Sequence, residues 1–259
     1  MFCNLAYRGV TNCIQLYAKV FETGENILKE LQETLGVQAV ENPKSKERLA
    51  ALNTMPWHRR EIISLGNGQA GVACGEGNLL NIKTFKIAET PEVTVKEVKD
   101  GVFVLQNDQL RVQVDGGCIT SLYDRVAERE VIPEGSKANQ FVIFDDKPLY
   151  WQAWDVEVFH LDSRKVLSSG ATKVVQSDAH QVSVMTETKI SEKSWVKTYI
   201  SLSAAFKGQQ SYVEMHSEVE WGEDKKFLKV EFPVDVRNTE ASYETQFGIV
   251  RRPTHYNTT

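Results

Sequence analysis

Basic clusters, long apolar runs and paired cysteines are all missing from this sequence of 259 residues. Lys and Arg are scattered along a chain of formal net charge -5, which leaves no electrostatic footprint for nucleic acid. No apolar run approaches the roughly 20 residues that span a bilayer. The N-terminus also lacks a basic segment followed by an apolar stretch and cleavage site, so no membrane partner and a cytoplasmic location are expected. Cys3, Cys13, Cys74 and Cys118 are widely spaced and form no CxxC pair; they fit neither a zinc knuckle nor a dense disulfide framework and read as reduced thiols. No two of His58, His160, His180, His216 and His255 lie three or four apart, which removes the helical metal pair. A GxSxG elbow, a P-loop and a dinucleotide fingerprint are absent too. The Gly-rich run from Gly71 to Gly77 lacks the P-loop Lys and a following helix, so it reads as a hairpin tip. Asn257-Thr258-Thr259 is a glycosylation sequon that matters only in a secreted chain.

What is present is ample apolar material, 41% hydrophobic against 25% charged residues, enough for one or two buried cores. Between positions 11 and 35, Ile14, Leu16, Tyr17, Val20, Phe21, Ile27, Leu28, Leu31 and Leu35 recur at spacings near three and four, with Gly36 as a stop signal. The spacing predicts one amphipathic helix, loosened at Gly24, whose apolar stripe calls for partner helices. Positions 37 to 48 are polar, contain Pro43 and read as a linker. Short β-branched and aromatic runs follow at 61–65, 79–87, 102–105 and 110–114, punctuated by Gly, Asn and Asp. Longer stretches at 181–190, 194–205, 212–221 and 227–236 alternate polar and apolar residues, the period of strands wetted on one face. The expected fold is mainly β, a large antiparallel sandwich after a short N-terminal helix.

Two clusters carry candidate chemistry. The first, Phe144-Asp145-Asp146-Lys147-Pro148-Leu149-Tyr150-Trp151-Gln152-Ala153-Trp154-Asp155, packs aromatic faces beside carboxylates. That combination suits a pyranose, which offers apolar C–H faces and a ring of hydroxyls. The competing reading places Trp151 and Trp154 in the sandwich core, with Asp145 and Asp146 capping a turn before Pro148. As strand neighbours the two acids point to opposite faces, which argues against a shared acid and base duty. The second cluster, 246 to 257, has Arg251, Arg252, His255, Tyr256 and Asn257 following a strand. Arg and His there can grip a substrate hydroxyl, or form a solvated loop turning at Pro253. His216 reads as a packed or surface strand residue, and no motif joins His160, His216 and Glu214 into a proton-transfer pair for sugar epimerisation.

Three stretches in order, Leu52-Asn53-Thr54-Met55-Pro56-Trp57-His58-Arg59, then 139 to 155, then Phe227-Leu228-Lys229-Val230-Glu231-Phe232-Pro233 continuing to Arg252-Pro253-Thr254-His255-Tyr256-Asn257-Thr258, resemble the cytosolic and vacuolar branch of glycoside hydrolase family 38 α-mannosidases. The resemblance implies a helical segment at 1–36 left from a three-helix bundle, a linker and small β domain at 37–95, and an incomplete galactose-mutarotase-like sandwich at 96–259. It implies an activity, retaining hydrolysis of α-mannosides in mannose and oligosaccharide (free N-glycan) breakdown, and zinc or another divalent metal in the full-length enzyme. The nucleophile, the acid and the zinc ligands of the family are expected outside this chain. The positions matching a family His-Asp zinc pair fall near Ala6 and Tyr7, and residues 1 to 9 look unrelated to the family. No catalytic residue and no metal ligand is therefore assigned, and the chain alone is expected to be inactive. Asp146, Trp151, Trp154, Asp155, Arg252 and His255 are the substrate-proximal candidates, with a non-catalytic carbohydrate-binding or structural module as the alternative reading. The resemblance implies a mannose-containing oligosaccharide as partner in the full-length family; a homo-oligomer of the full-length form and a vacuole reached from the cytosol are compatible with it.

Overall fold

Helical periodicity and strand alternation separate the chain into two units, residues 1–47 and 48–259. The computed structural model describes residues 2–36, 50–52, 59–66, 69–75, 82–84, 93–152, 154–205 and 210–255. In the first unit α1 (Phe2–Leu35) runs without interruption through Gly24. It begins nine residues before the periodic stretch at 11–35, because Leu5, Ala6 and Arg8 are good helix formers. One internal glycine costs only about 1 kcal/mol and does not break a helix of this length. Ile14, Tyr17, Phe21, Leu28 and Leu31 lie exposed along it. The linker expected at 37–48 lies outside the described residues, and the turn at Gly36 precedes it.

The second unit opens with β1 (Ala50–Leu52), β2 (Arg59–Gly66), β3 (Gln69–Gly75) and β4 (Ile82–Thr84); β1 pairs with β4, and β2 with β3 in an antiparallel hairpin. The expected hairpin tip at 71–77 is corrected here. Gly71 to Gly75 pair along β3, opposite Ile63 to Arg59, and Gly66 pairs with Gln69 at the other end of the ladder. Glycine without a Cβ is tolerated in a strand where pairing supplies the hydrogen bonds. The 52–59 motif lies mostly outside the described residues.

A five-stranded antiparallel meander follows: β5 (Thr94–Lys99), β6 (Val102–Gln106), β7 (Leu110–Asp115), β8 (Cys118–Asp124) and β9 (Arg129–Glu130). Next come β10 (Gln140–Asp145), a 3-10 turn (Val158–Ser163), β11 (Lys165–Val166), β12 (Thr172–Ser177), β13 (Gln181–Lys189), β14 (Trp195–Ser203), β15 (Val213–Glu220), β16 (Lys226–Glu231), β17 (Glu240–Thr245) and β18 (Gly248–Pro253). They form a three-stranded sheet β11-β10-β16, a four-stranded sheet β12-β13-β14-β15 and the hairpin β17-β18, all antiparallel. The strand expected at 227–236 stops at Glu231, since Pro233 has no amide to donate to a ladder.

The period-two alternation sends Val182, Val184, Val196, Ile200 and Leu202 to one face of the four-stranded sheet. At one end that face packs on the meander through Phe103, Leu105, Val112, Val114 and Ile119. At the other, Val196 packs with Phe141 and Leu167, flanked by Ile143 and Leu228. An Ile119–Ala138 bridge continues the meander toward β10, so the two facing sheets form one layer of a sandwich. Gly117 lies in this seam at a φ of +74°; a Cβ there would stand 2.9 Å from Cγ2 of Thr186. Its amide donates to Oγ1 of Thr172, and its carbonyl accepts from Nδ2 of the buried Asn139. Asn107, also buried, accepts the Gln109 and Leu110 amides and donates to the Ser203 carbonyl, tying the β6–β7 turn to the end of β14.

Leu105, fully buried in this core, gives the expected test of packing. Leu105→Ala should cost about 2–5 kcal/mol in urea unfolding, whereas Leu149→Ala on the exposed loop should stay within about 0.5 kcal/mol.

Candidate functional site

Strand β10 ends at Asp145, and the chain leaves the sheet there because Pro148 cannot continue a ladder. What anchors the exit is electrostatic. The Asp145 carboxylate takes hydrogen bonds from the ammonium groups of Lys226, its cross-strand partner on β16, and of Lys147 at 2.9 Å. Lys226 first and Lys147 second hold its pKa down at about 2. The backbone amide of Asp145 donates to Ser163 Oγ at 2.8 Å, and that hydroxyl donates to the His160 carbonyl at 2.7 Å, which ties the 3-10 turn to the strand. The Asp146 amide donates to the Lys225 carbonyl.

The base of the loop is an aromatic cage. Phe144, Phe227 and the His160 ring pack with centroids 5.1 to 6.0 Å apart. The Lys229 ammonium sits 4.7 Å from the Phe227 ring and 5.1 Å from that of Phe144, a cation–π arrangement. Nδ1 of His160 lies 2.6 Å from the Glu157 carbonyl and Nε2 faces Lys229 Nζ at 3.4 Å. The network assigns the proton to Nδ1 and leaves Nε2 as acceptor.

Above this base the loop stands out into solvent. Trp151 is 73% and Trp154 86% exposed, and Leu149 and Tyr150 are exposed beside them. The reading that buried both indoles in the core is therefore corrected: the core is filled by aliphatic residues from the paired strands, and this segment has left the sheet. Trp151 adopts a left-handed backbone with φ of 55°, a conformation costing a non-glycine residue of order 1 kcal/mol or more. Its carbonyl accepts the amides of Trp154 and Asp155 at 2.9 and 3.1 Å, closing a backbone turn between the two tryptophans. The Asp-capped turn before Pro148 is corrected as well, since Asp145 spends its carboxylate on the two lysines.

A cleft of about 250 Å³ lies at the foot of the loop, lined by Asp146, Lys147, Glu157, Phe159, His160 and Asp162 among others. Of the six candidate residues only Asp146 lines it. Trp151, Trp154 and Asp155 form the crest above the same loop, while Arg252 and His255 belong to another element. Arg252 stacks over the Tyr243 ring at 5.7 Å within the β17-β18 hairpin, so the expected loop at 251–253 is strand, and His255 follows it. Tyr256 and the residues after it lie outside the described ones. Sequence reading missed Lys226 and Lys229, whose partners Asp145 and His160 lie 81 and 69 residues away along the chain, and missed the place of His160 in this cluster.

Zinc, which the resemblance implies, needs three or four converging nitrogen, sulfur or carboxylate ligands. Among the described residues no group of three or more His, Cys, Asp or Glu is placed to hold a metal. In the foot cleft Asp145 is committed to two lysines and His160 to a carbonyl and an ammonium, so these residues do not fit the ion.

Residues 105–259 match the family model described as the glycosyl hydrolases family 38 C-terminal domain. The chain is 38% identical over 231 residues to Alpha-mannosidase 2C1 of Mus musculus, covering 81% of this chain and 21% of that protein. It is 38% identical over 231 residues to Alpha-mannosidase 2C1 of Homo sapiens, covering 82% and 21%. With the Alpha-mannosidase of Saccharomyces cerevisiae the identity is 37% over 246 residues, covering 90% and 21%. The chain thus spans about a fifth of the length of these relatives.

As the electrostatic anchor of the loop, Asp145 titrates in a defined direction. Its native pKa lies below the ordinary carboxylate range, so the stabilisation from its lysines is present above that range and is lost as pH falls toward about 2. Followed by carboxyl NMR, the Asp145 midpoint should rise toward the ordinary range in Lys226→Met.

Proposed function

The chain belongs to glycosyl hydrolase family 38, and from that premise we propose that it is the non-catalytic β-rich part of an α-mannosidase, presenting the 146–157 loop to mannose-containing oligosaccharide. The single observation that carries this reading is the exposed pair Trp151 and Trp154, whose backbones are joined by a turn on the Trp151 carbonyl over an anchored base. Aromatic faces stack on the C–H side of a pyranose, and Asp146 and Asp155 beside them accept hydroxyl hydrogen bonds. A structural role for the indoles as core filling is disfavoured by their exposure.

On this reading hydrolysis does not belong to the chain alone. Retaining glycosidases need two carboxyl groups about 5–5.5 Å apart on either side of the scissile bond. Asp145, bound to Lys226 and Lys147, is not available as nucleophile or acid. Nucleophile, acid and zinc are assigned to residues other than those described. The substrate class is the α-mannoside of free N-glycans, and the resemblance to the cytosolic and vacuolar branch supports a cytoplasmic location. The three-part organisation 1–36, 37–95 and 96–259 belongs to the same proposal; it is supported by the helix end at Leu35 and the family match beginning at 105.

Two measurements on the purified chain test this. An aryl α-mannoside, with and without divalent metal, should give no turnover; metal-dependent turnover that survives repurification would overturn the reading. Titration with α-linked mannobiose should change tryptophan fluorescence with a millimolar midpoint, and Trp154→Ala should weaken binding several-fold while leaving the melting temperature within about 2 °C.

A further inference from the structure

At the opposite end of the β10–β16 pair from the aromatic loop lies a second cleft of about 620 Å³, lined by Ser136, Lys137, Gln140, Glu231, Phe232 and Pro233. From it we infer that the chain carries a second carbohydrate subsite, which takes one neutral pyranose residue stacked on Phe232. The volume falls within the range of small-molecule sites, roughly 300–1,000 Å³.

The polar groups are built in, and several are unspent. Gln140 and Glu231 face each other across β10 and β16, and residues directly opposite in an antiparallel pair share one face of the sheet. Arg164, immediately before β11, reaches across β10 and clamps the Glu231 carboxylate with Nε at 3.1 Å and Nη2 at 2.5 Å. Each oxygen of that fixed carboxylate retains a lone pair for a hydroxyl donor. Among the described residues the side chains of Gln140, Ser136 and Lys137 make no hydrogen bond or ion pair, so one amide, one hydroxyl and one ammonium border the cleft uncommitted. The turn that presents Ser136 and Lys137 is set by the Ser136 amide donating to the Pro133 carbonyl and by Gly135 at a φ of +77°. Phe232, 44% exposed, supplies the apolar face.

A carboxylate, an amide, a hydroxyl and an ammonium around one aromatic ring match a ring of sugar hydroxyls above a C–H face. Arg164 already pairs with Glu231, so the exclusion of an anion at Lys137 is left to the phosphate arm of the test, and the open polar rim disfavours an apolar ligand. That the sugar is a mannoside rests on the family reading; the cleft itself rests only on these residues. With both sites on one strand pair, a single oligosaccharide or two separate chains can meet β10 and β16 at both ends.

The test is a residue-resolved NMR titration of the 15N-labelled chain with α-linked mannobiose, and in parallel with inorganic phosphate. Saturable amide shifts at 135–137, 140 and 231–232 are expected, with binding there weakened at least tenfold in Phe232→Ala. Lys137→Ala and Gln140→Ala, at exposed and half-exposed positions, should each weaken binding several-fold and guard against loss of folding in the Phe232 variant. Shifts confined to 146–157 would overturn the second subsite while leaving the loop reading in place. Shifts at the cleft alone would do the reverse. Stronger displacement of the cleft amides by phosphate than by mannobiose would overturn the assignment of a neutral sugar.

Discussion

The inward face of the four-stranded sheet is the constraint on which the other elements of the β unit depend. Val182, Val184, Val196, Ile200 and Leu202 are each 1% exposed or less, and they serve two facing sheets at once. Hydrophobic burial is worth roughly 25 cal/mol per Å², and here it is shared by elements far apart in sequence, so neither facing sheet has a complete core without β13 and β14. Removing water from one aliphatic row thereby fixes the position of β10, the strand on which both candidate sites depend.

From β10 outward the stabilising force changes character. Phe141 and Val142 are buried, Phe144 closes the aromatic cage with Phe227 and His160, and Asp145 meets solvent and two lysines. Apolar packing gives way to cation–π contact and then to ion pairing within five residues, and the loop begins where the last of these ends. Exposed ion pairs contribute little to global stability. Their consequence is local: they fix the direction in which the chain leaves the sheet, and so where Trp151 and Trp154 stand. The outer edge has its own electrostatic guard, since β15 turns Glu214, Glu218 and Glu220 to one face, a row of like charge that discourages edge-to-edge pairing with another copy.

Strands such as Gln181–Lys189 and Trp195–Ser203 were legible because their period of two registers directly which residues meet the core. The family resemblance was legible in the 139–155 stretch and is shown by the match over 105–259. The orientation of the two tryptophans was not, since sequence supplies the residue types of a loop but not the point at which it leaves the sheet. That point depends on Lys226, which lies 81 residues from Asp145. Pairing likewise decided the glycines at 71–75, which a local reading treats as a turn and a ladder with β2 converts into strand. The cage around Lys229 and the Arg164 clamp on Glu231 are invisible to any local pattern for the same reason, as their partners converge only after three strands have aligned.

The central claim is that the aliphatic core along β13 and β14 holds β10 in place and that the aromatic loop after it stands outward, where it is proposed to meet a ligand. Amide hydrogen exchange of the chain with and without α-linked mannobiose tests it most directly. The account predicts the slowest exchange in β6, β7, β13 and β14, fast exchange over 146–157, and slowing of that loop alone or with the 135–140 turn when the sugar is added. Uniformly fast exchange across β13 and β14, or a loop as protected as those strands in the absence of sugar, would contradict it.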